Sequence, residues 1–191
     1  MNTIVGKLVI ISGPSGAGKS TVVRQLLDDC PVPMQLSVSA TTRAPRDGEV
    51  DGVHYHFLSH KEFETRRLNG DFLECEEVFG HGEWYGTLQS EVMNRLAEGN
   101  WVLLEIDIAG AQSVLEQVPD AITLFLHPGS LEELEKRLRN RGTEDEPSRI
   151  RRLEVAREEM NYIDRYQFEV INDSVERAVA EICEILKRSG G

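Results

Sequence analysis

Residues Gly13-Pro14-Ser15-Gly16-Ala17-Gly18-Lys19-Ser20 have the spacing G-x-x-x-x-G-K-S. Glycines let a backbone curl until successive N–H groups point at one anion. An apolar run, Leu8-Val9-Ile10-Ile11, precedes the stretch, and Thr21-Val22-Val23-Arg24-Gln25-Leu26-Leu27 continues it as a helical pattern. A helix starting there adds unpaired N-terminal N–H groups and the positive end of its dipole. Strand before and helix after is the setting a phosphate-binding loop requires. In such a loop Lys19 reaches the β- and γ-phosphates of a nucleoside triphosphate, and Ser20 offers its hydroxyl to Mg²⁺. The chemistry indicated is phosphoryl transfer. The plain alternative is a glycine-rich turn that carries a lysine by chance.

Other residues could serve the same chemistry. Glu105 and Asp107 close a second apolar run, Trp101-Val102-Leu103-Leu104. Being two apart, they are expected on one face of its strand. In open α/β sheets ligands gather at the carboxyl ends of the strands. A carboxylate there can hold Mg²⁺, directly or through water, or contact a second substrate; it can also simply end a strand. Arg43 and Arg46 lie in a Thr-Arg-x-Pro-Arg segment, and guanidinium forks match phosphate geometry better than ammonium groups do. Tyr55, Tyr85 and Thr87 can add hydroxyl donors. For two arginines in a loop, a surface turn is the alternative. Lys136–Arg152 holds seven basic and three acidic residues, a local +4 on a chain of net charge −12. A solvated helix face with ion pairs four apart is the alternative for that run.

The elements that must position these residues follow from periodicity and punctuation. Residues 7–12 read as a buried parallel strand. The helix after the loop runs to about Asp29 and stops before Pro31 and Pro33. Gln35–Ser39 is a short strand, residues 40–53 are polar and turn-rich, and Val53–Leu58 alternates as a strand. Ser59-His60-Lys61-Glu62 is a capping box opening a helix to about Leu68. Asn69-Gly70 is a turn, and Phe72–Phe79 is a strand broken by Gly80-His81-Gly82. Residues 39–88 therefore form a small mixed insertion rich in antiparallel strand. Beyond it come a helix over Leu88–Ala97, a strand over Trp101–Ile108, a helix over Ile108–Gln117 and a strand over Ala121–Leu126. Residues 130–162 are helical and charged, with an interruption at 142–147. A strand over Phe168–Ile171 and an amphipathic helix over Ser174–Lys187 end the chain. Strands alternating with helices indicate a parallel sheet with right-handed crossovers.

Composition narrows the partners. The chain has 191 residues, room for one domain with insertions. Its net charge of −12 argues against nucleic acid or an anionic membrane surface. A local cationic cluster can still bind a nucleotide. Cys30, Cys75 and Cys183 are far apart and form no C-x-x-C pair, so reduced thiols in a cytoplasmic protein are expected. The histidines show no ligand spacing, and no metal site built from His or Cys is expected. No apolar run approaches the roughly 20 residues a membrane span needs. The early start of the first strand leaves no signal peptide to expect.

Several stretches together carry a resemblance. Ser37-Val38-Ser39-Ala40-Thr41-Thr42-Arg43-Ala44-Pro45-Arg46-Asp47-Gly48-Glu49, Gly52-Val53-His54-Tyr55-His56-Phe57, Phe72-Leu73-Glu74 and Tyr85-Gly86-Thr87 closely resemble the acceptor-binding region of guanylate kinases. Arg137-x-x-x-Arg141-Gly142-Thr143 resembles that family's lid, and Val170-Ile171-Asn172-Asp173 its late strand. The likeness runs from about residue 6 to 188. It implies an α/β fold: a P-loop NTPase-type parallel sheet flanked by helices, with a mixed α/β acceptor-binding insertion and a helical lid. It implies the reaction ATP + GMP ⇌ ADP + GDP with Mg²⁺, dGMP also serving, within purine nucleotide metabolism and GMP recycling. Gly13 to Thr21 would hold ATP. Arg43, Arg46, Tyr55 and Tyr85 would hold the GMP phosphate. Ser39, Glu74 and Thr87 would read guanine, with Asp107 near the acceptor and the metal. Arg137, Arg141 and Arg152 would close over the ATP phosphates, and Asn172 would lie beside the adenine. No covalent intermediate is expected.

This chain departs from the family pattern in three places. Glu105 stands where the family commonly has Asp, and Ala109 where it has Gln before Gly110. The loop between Glu74 and Tyr85 is two residues longer. Residues 1–38, 89–129 and 160–191 would form the core, 39–88 the GMP-binding subdomain and 130–159 the lid. Whether the protein is a monomer or a homo-oligomer is open. Two other readings compete: a kinase of another small phosphorylated acceptor, and a guanylate-kinase-like module that binds a phosphopeptide. Glu74 speaks against the first, since a carboxylate accepts from guanine N1–H and N2–H₂. The intact Lys19 and Ser20 speak against the second.

Overall fold

A computed structural model describes residues 6–78, 82–140 and 146–190, without the side chains of 78, 138, 140 and 146–149. In chain order the elements are β1 (Leu8–Ser12), α1 (Lys19–Asp29), β2 (Met34–Leu36), β3 (Ala40–Thr41), β4 (His56–Phe57), α2 (His60–Asn69), β5 (Phe72–Val78) and β6 (Glu83–Leu88). They continue with α3 (Gln89–Ala97), β7 (Trp101–Glu105), α4 (Ile108–Gln117), β8 (Ile122–His127), α5 (Leu131–Asn140), α6 (Glu146–Met160), β9 (Phe168–Ile171) and α7 (Val175–Ser189). A five-stranded parallel sheet has the order β2-β7-β1-β8-β9, and a four-stranded sheet the order β4-β3-β6-β5. By its internal contacts the chain divides into two compact units: Met1–Leu8, Gln35–Leu104 and Ala109–Ala121 in one, Val9–Met34, Glu105–Ile108 and Ile122–Gly191 in the other.

The unit that carries the phosphate loop is organised on β1, β8 and β9. Val9 to Ser12 pair in parallel with Ile122 to Phe125, and Leu124 to His127 with Phe168 to Ile171. Every residue of β1 and of β8 is buried, as expected for strands covered on both faces. Helices α1 and α7 pack against each other. Val22, Val23 and Leu26 of α1 are buried, as are Ala178, Val179, Ile182, Cys183 and Leu186 of α7. Ser174 caps α7, its hydroxyl accepting from the Arg177 N–H, which satisfies one donor of the first turn.

The other unit contains the four-stranded sheet. Its β3–β6 and β5–β6 pairs are antiparallel, whereas β3 and β4 run parallel. On one side of this sheet, Ala40, Phe63 of α2 and Leu88 form a core with Leu58, Phe72, Cys75 and Trp84 around them. The capping box at Ser59 forms in full, the hydroxyl accepting from Glu62 N and the Glu62 carboxylate from Ser59 N. Gly70 ends α2 in the left-handed conformation that glycine adopts without strain. Gly86 is required for closeness: a Cβ there would lie 2.9 Å from Cys75 Cβ, Glu74 O and Phe72 Cδ1.

Several expected elements change: the strand read over Gln35–Ser39 lies at Met34–Leu36, and β3 and β6 fall in stretches read without a strand. The strand read over Val53–Leu58 shrinks to His56–Phe57, because Val53 and His54 both bond back to the Val50 carbonyl in a tight turn. The strand read over Trp101–Ile108 stops at Glu105. Asp107 lies in the short connection to α4 instead, so alternation within one strand does not relate it to Glu105. Among the described residues no helix is long and apolar enough to cross a membrane.

Candidate functional site

The phosphate loop links β1 to α1. Gly13 takes φ +144°, and a Cβ there would fall 2.0 Å from the Leu126 carbonyl oxygen. Only glycine allows the loop to turn this close to β8. Gly18 is the N-cap of α1 and has no side chain with which to cap it. The helix thus begins at the loop with the positive end of its dipole, which favours an anion there. The Gly18 carbonyl accepts from Thr21 N and Val22 N and starts the helix. Lys19 Nζ donates to Gly13 O at 2.6 Å and to Pro14 O at 3.2 Å. The ammonium is thus folded over its own loop, where a phosphate would meet it.

Carboxylates surround this loop. Ser20 Oγ donates to Glu105 Oε1 at 2.5 Å, so the hydroxyl and the strand-end acid sit together. A Glu159 carboxylate oxygen accepts from the Ser15 N–H at 3.4 Å. Burial pushes the Glu159 carboxyl above its ordinary range. Lys19 and the Ser15 N–H pull it back, and the charge of Asp107 adds to the rise. Asp107 and Glu159 are therefore close enough for their like charges to repel, while Lys19 stabilises the charged form of Glu159. Tyr166 is also drawn in: burial pushes its phenol up to about 12, with the charges of Asp107 and Glu159 adding to the rise and the nearby Ser12 hydroxyl opposing it. Neither Glu159 nor Tyr166 was marked by any motif. Glu159 is one of several acids late in α6, and only the folded chain brings it to residue 15.

The residues expected in a lid divide. Arg137, on α5, donates from Nη2 to the Asn172 carbonyl at 2.7 Å and from Nε to Glu133 at 3.2 Å. A Cβ on Gly18 would lie 4.0 Å from Arg137 Nη1, so this guanidinium is beside the phosphate loop. Asn172 is only 3% exposed. Its Nδ2 donates to Ala17 O at 2.7 Å, and its backbone N–H donates to His127 O at 2.8 Å. One residue at the end of β9 thus ties together the loop, β8 and the lid arginine. Arg139 instead pairs with Glu135 at 2.6 Å and is 60% exposed, a solvated helix-face contact. Arg152 is half-buried on α6. Arg141, Gly142 and Thr143 lie outside the described residues.

The residues expected to hold the acceptor collect in and beside the four-stranded sheet. Register places Glu74 opposite Thr87, Glu76 opposite Tyr85, and Thr41 opposite Tyr85. Opposite residues point the same way, and alternation puts Ser39, one residue ahead of β3, on the side of Glu74, Tyr85 and Thr87. Glu74 is 9% exposed, and Thr87, fully buried, donates its hydroxyl to Glu74 Oε1 at 2.6 Å. The Ser39 carbonyl accepts from His56 N. Arg43 is held by all three of its nitrogens. Nε donates to Tyr85 Oη at 3.1 Å, Nη1 to Ala44 O at 2.7 Å and Nη2 to Glu49 at 2.9 Å. Its guanidinium also lies 5.4 Å from the centre of the Tyr55 ring, which meets the Tyr85 ring edge-on at 5.9 Å. Hydrogen bonds from Arg43 and from the Arg46 backbone N–H hold the Glu49 carboxyl down at about 2. Glu49 therefore stays ionised near neutrality and clasps the arginine loop. Arg46 sits on the exposed bend of that loop and contributes its backbone to the clasp. Arg43, Tyr55 and Tyr85 are one cluster, with the Glu74–Thr87 pair on the same sheet face. The longer loop before Tyr85 falls partly on 79–81, outside the described residues.

Comparison with known proteins is consistent throughout. The family model for guanylate kinase matches residues 5–189. A guanylate kinase from Rhodopirellula baltica is 62% identical over 182 residues, covering 95% of this chain and 87% of its own length. One from Clostridium perfringens is 50% identical over 184 residues, covering 95% of this chain and 82% of its own. Among solved structures, a guanylate kinase from Anaplasma phagocytophilum superimposes with a TM-score of 0.78 at 31% identity, covering 98% of this chain and 88% of that one. A shikimate kinase from Bacteroides thetaiotaomicron, at 15% identity and a TM-score of 0.50, shares the fold alone. With its loop built for phosphate and its match running almost end to end, this chain belongs to the guanylate kinase family.

Proposed function

We infer that this protein is an ATP-dependent kinase that phosphorylates GMP to GDP. The observation that carries the reading is the Glu74–Thr87 pair, a buried carboxylate oriented by a hydroxyl, in the same chain as an intact Lys19–Ser20 loop. Its chemistry suits a base that offers adjacent N1–H and N2–H₂ donors, and guanine offers them.

Gly13 to Thr21 hold the ATP phosphates, and Lys19 neutralises charge on the transferring group. Residues 39–88 form the GMP-binding part. Arg43, pre-set by Tyr85 and Glu49, meets the GMP phosphate with Arg46, Tyr55 and Tyr85. Ser39, Glu74 and Thr87 read the base, and Asp107 lies near acceptor and metal. Residues 130–159 serve as the lid, with Arg137, Arg141 and Arg152 on the ATP phosphates and Asn172 beside the adenine. The acceptor is already an anion, so the work of the protein is alignment, exclusion of water and charge neutralisation.

Mg²⁺ fits the donor set. The Ser20 hydroxyl and the Glu105 carboxylate adjoin, and Asp107 is on the next turn of chain. Among the described residues no group of three or more His, Cys, Asp or Glu could hold a metal. That suits an ion bound by one or two protein oxygens, waters and substrate phosphates rather than by a protein cage. When bound it would withdraw negative charge from the phosphates. The same reading extends to dGMP as acceptor, to recycling of GMP in purine metabolism and to a cytoplasmic location.

A coupled assay presenting ATP and Mg²⁺ with GMP, AMP, CMP, UMP and dTMP in turn tests the function. GMP should be the one efficient acceptor. Comparable turnover of another of the five would overturn the reading. The lid assignment has its own comparison. Lysine keeps the charge of arginine but loses the planar fork. Arg137→Lys should lower kcat/KM for ATP by about tenfold or more. Arg139→Lys, on the exposed Glu135 pair, should stay near wild type, with stability changed by no more than about 0.5 kcal/mol. Equal kinetics for the two variants would reduce the cluster to a charged surface.

A further inference from the structure

We infer that Glu159 is a built-in competitor of the ATP phosphates: its carboxylate and a phosphate claim the same loop amide and the same ammonium, and this competition sets the affinity for ATP. The inference rests on the reading of Gly13–Ser20 as the ATP site.

The contact is specific. Ser15 lies in the first half of the phosphate loop, between Gly13 and Gly16, both at positive φ. Glu159 accepts from its N–H at 3.4 Å. One N–H cannot donate full bonds to a carboxylate and to a phosphate at once. The electrostatics agree with the geometry. Lys19 stabilises the charged form of Glu159, so the ammonium that would neutralise a γ-phosphate already faces an anion. Glu159 is partly buried, which weakens solvent screening of that pair.

The position of Glu159 in the chain gives the competition a consequence. It stands one residue before the end of α6 (Glu146–Met160). Ala156, one helical turn earlier, is fully buried with Leu134 of α5, and Leu131 and Leu153 pack around them. Helices α5 and α6 therefore share a small core, and α5 carries Arg137. A phosphate that displaces the Glu159 carboxylate acts on the same helix pair that presents the lid arginine. Entry of ATP and departure of the Glu159 carboxylate from the loop then become one event, which leaves the helix pair to bring Arg137 over the phosphates, with a coupling that lowers apparent affinity for ATP until the carboxylate has moved.

Two other roles for Glu159 make opposite predictions. A structural staple between α6 and the loop would lose stability and gain no affinity when removed. A water-mediated metal partner would raise the Mg²⁺ requirement and lower kcat. Glu159→Gln keeps the shape and removes the charge; Glu159→Ala removes the acceptor as well. Glu158→Gln, an exposed neighbour, controls for net charge. ADP is titrated calorimetrically in the absence of metal and of GMP, and KM for ATP is measured with Mg²⁺ and GMP. Both Glu159 variants should bind ADP at least about fivefold more tightly than wild type, the lower end of usual coupling strengths. KM for ATP should fall in parallel, and Glu158→Gln should track wild type. Unchanged or weaker ADP binding by the two Glu159 variants, or a higher Mg²⁺ requirement with reduced kcat, would overturn the inference. Because ADP binding is read without GMP, this result is separable from the acceptor assignment. A wild-type protein that fails to use GMP would defeat the function while leaving the competition measurable.

Discussion

Lys19→Met is expected to lower kcat by about 10²- to 10⁴-fold, the scale on which electrostatic stabilisers of a transition state are lost. Negative charge moves toward the bridging and leaving oxygens as the phosphoryl group transfers, and a fixed ammonium opposes that build-up at no cost of reorganisation. The loss should fall mainly on kcat, because methionine fills the same volume and the loop amides still bind ground-state phosphates. In the folded protein Lys19 donates to Gly13 O and Pro14 O. These bonds lie at a partly exposed loop where water can replace them, so stability should change little. Steady-state kinetics with saturating GMP, together with a melting curve, separates the two effects. A folded variant that keeps near-full kcat would remove Lys19 from the chemistry and with it the phosphate-loop assignment.

The second large effect concerns choice of base. Glu74 is 9% exposed and has one oxygen engaged by Thr87 at 2.6 Å. A desolvated carboxylate needs donors, and guanine N1–H and N2–H₂ supply two. Adenine presents a lone pair at N1 and no amino group at C2, so AMP would leave the carboxylate buried and unmatched. Sites of this kind reject the wrong analogue by about 10⁴-fold or more. AMP should therefore be discriminated on that scale by the wild-type protein. IMP keeps N1–H but lacks the N2 amino group. Glu74→Ala should lose activity on GMP far more than its residual activity on IMP, so the preference between the two should collapse. kcat/KM measured for GMP, IMP and AMP in both proteins checks this. Equal losses on GMP and IMP would assign Glu74 to the integrity of the sheet instead.

The part of the site that was legible in advance is the part written in consecutive residues. The phosphate loop needs glycines at set offsets, a lysine at the helix start and an apolar strand before it, and all of these are neighbours in the chain. The capping box of Ser59 and Glu62 formed as read for the same reason, since its donors and acceptors are three residues apart. The last strand, Phe168–Ile171, was bounded correctly by its own apolar run. Strand ends were less legible. Periodicity carried the strand after Trp101 through to Ile108, but α4 begins at Ile108 and the strand stops at Glu105. Apolar residues at a strand end and at a helix start look alike when only their sequence is given. Along α7 the amphipathic pattern holds: Ala178, Val179, Ile182, Cys183 and Leu186 form the buried side, with Val175 and Ile185 half-buried.

The reading of Glu74 against guanine comes from the family resemblance. By itself, then, the sequence determined a phosphate cradle, two arginines in a turn-rich loop, and enough alternation to place them on an α/β frame. Local bonding rules suffice for each of these. Tertiary structure decided which groups meet. The register of β5 on β6 sets Glu74 against Thr87. The end of β9 brings Asn172 to Ala17, 155 residues away, and the end of α6 brings Glu159 to Ser15, 144 residues away. No short-range preference encodes such pairs. Each position follows from how buried strands and helix faces pack against elements distant in the chain, and a polar group carried there takes whatever partner the packing presents.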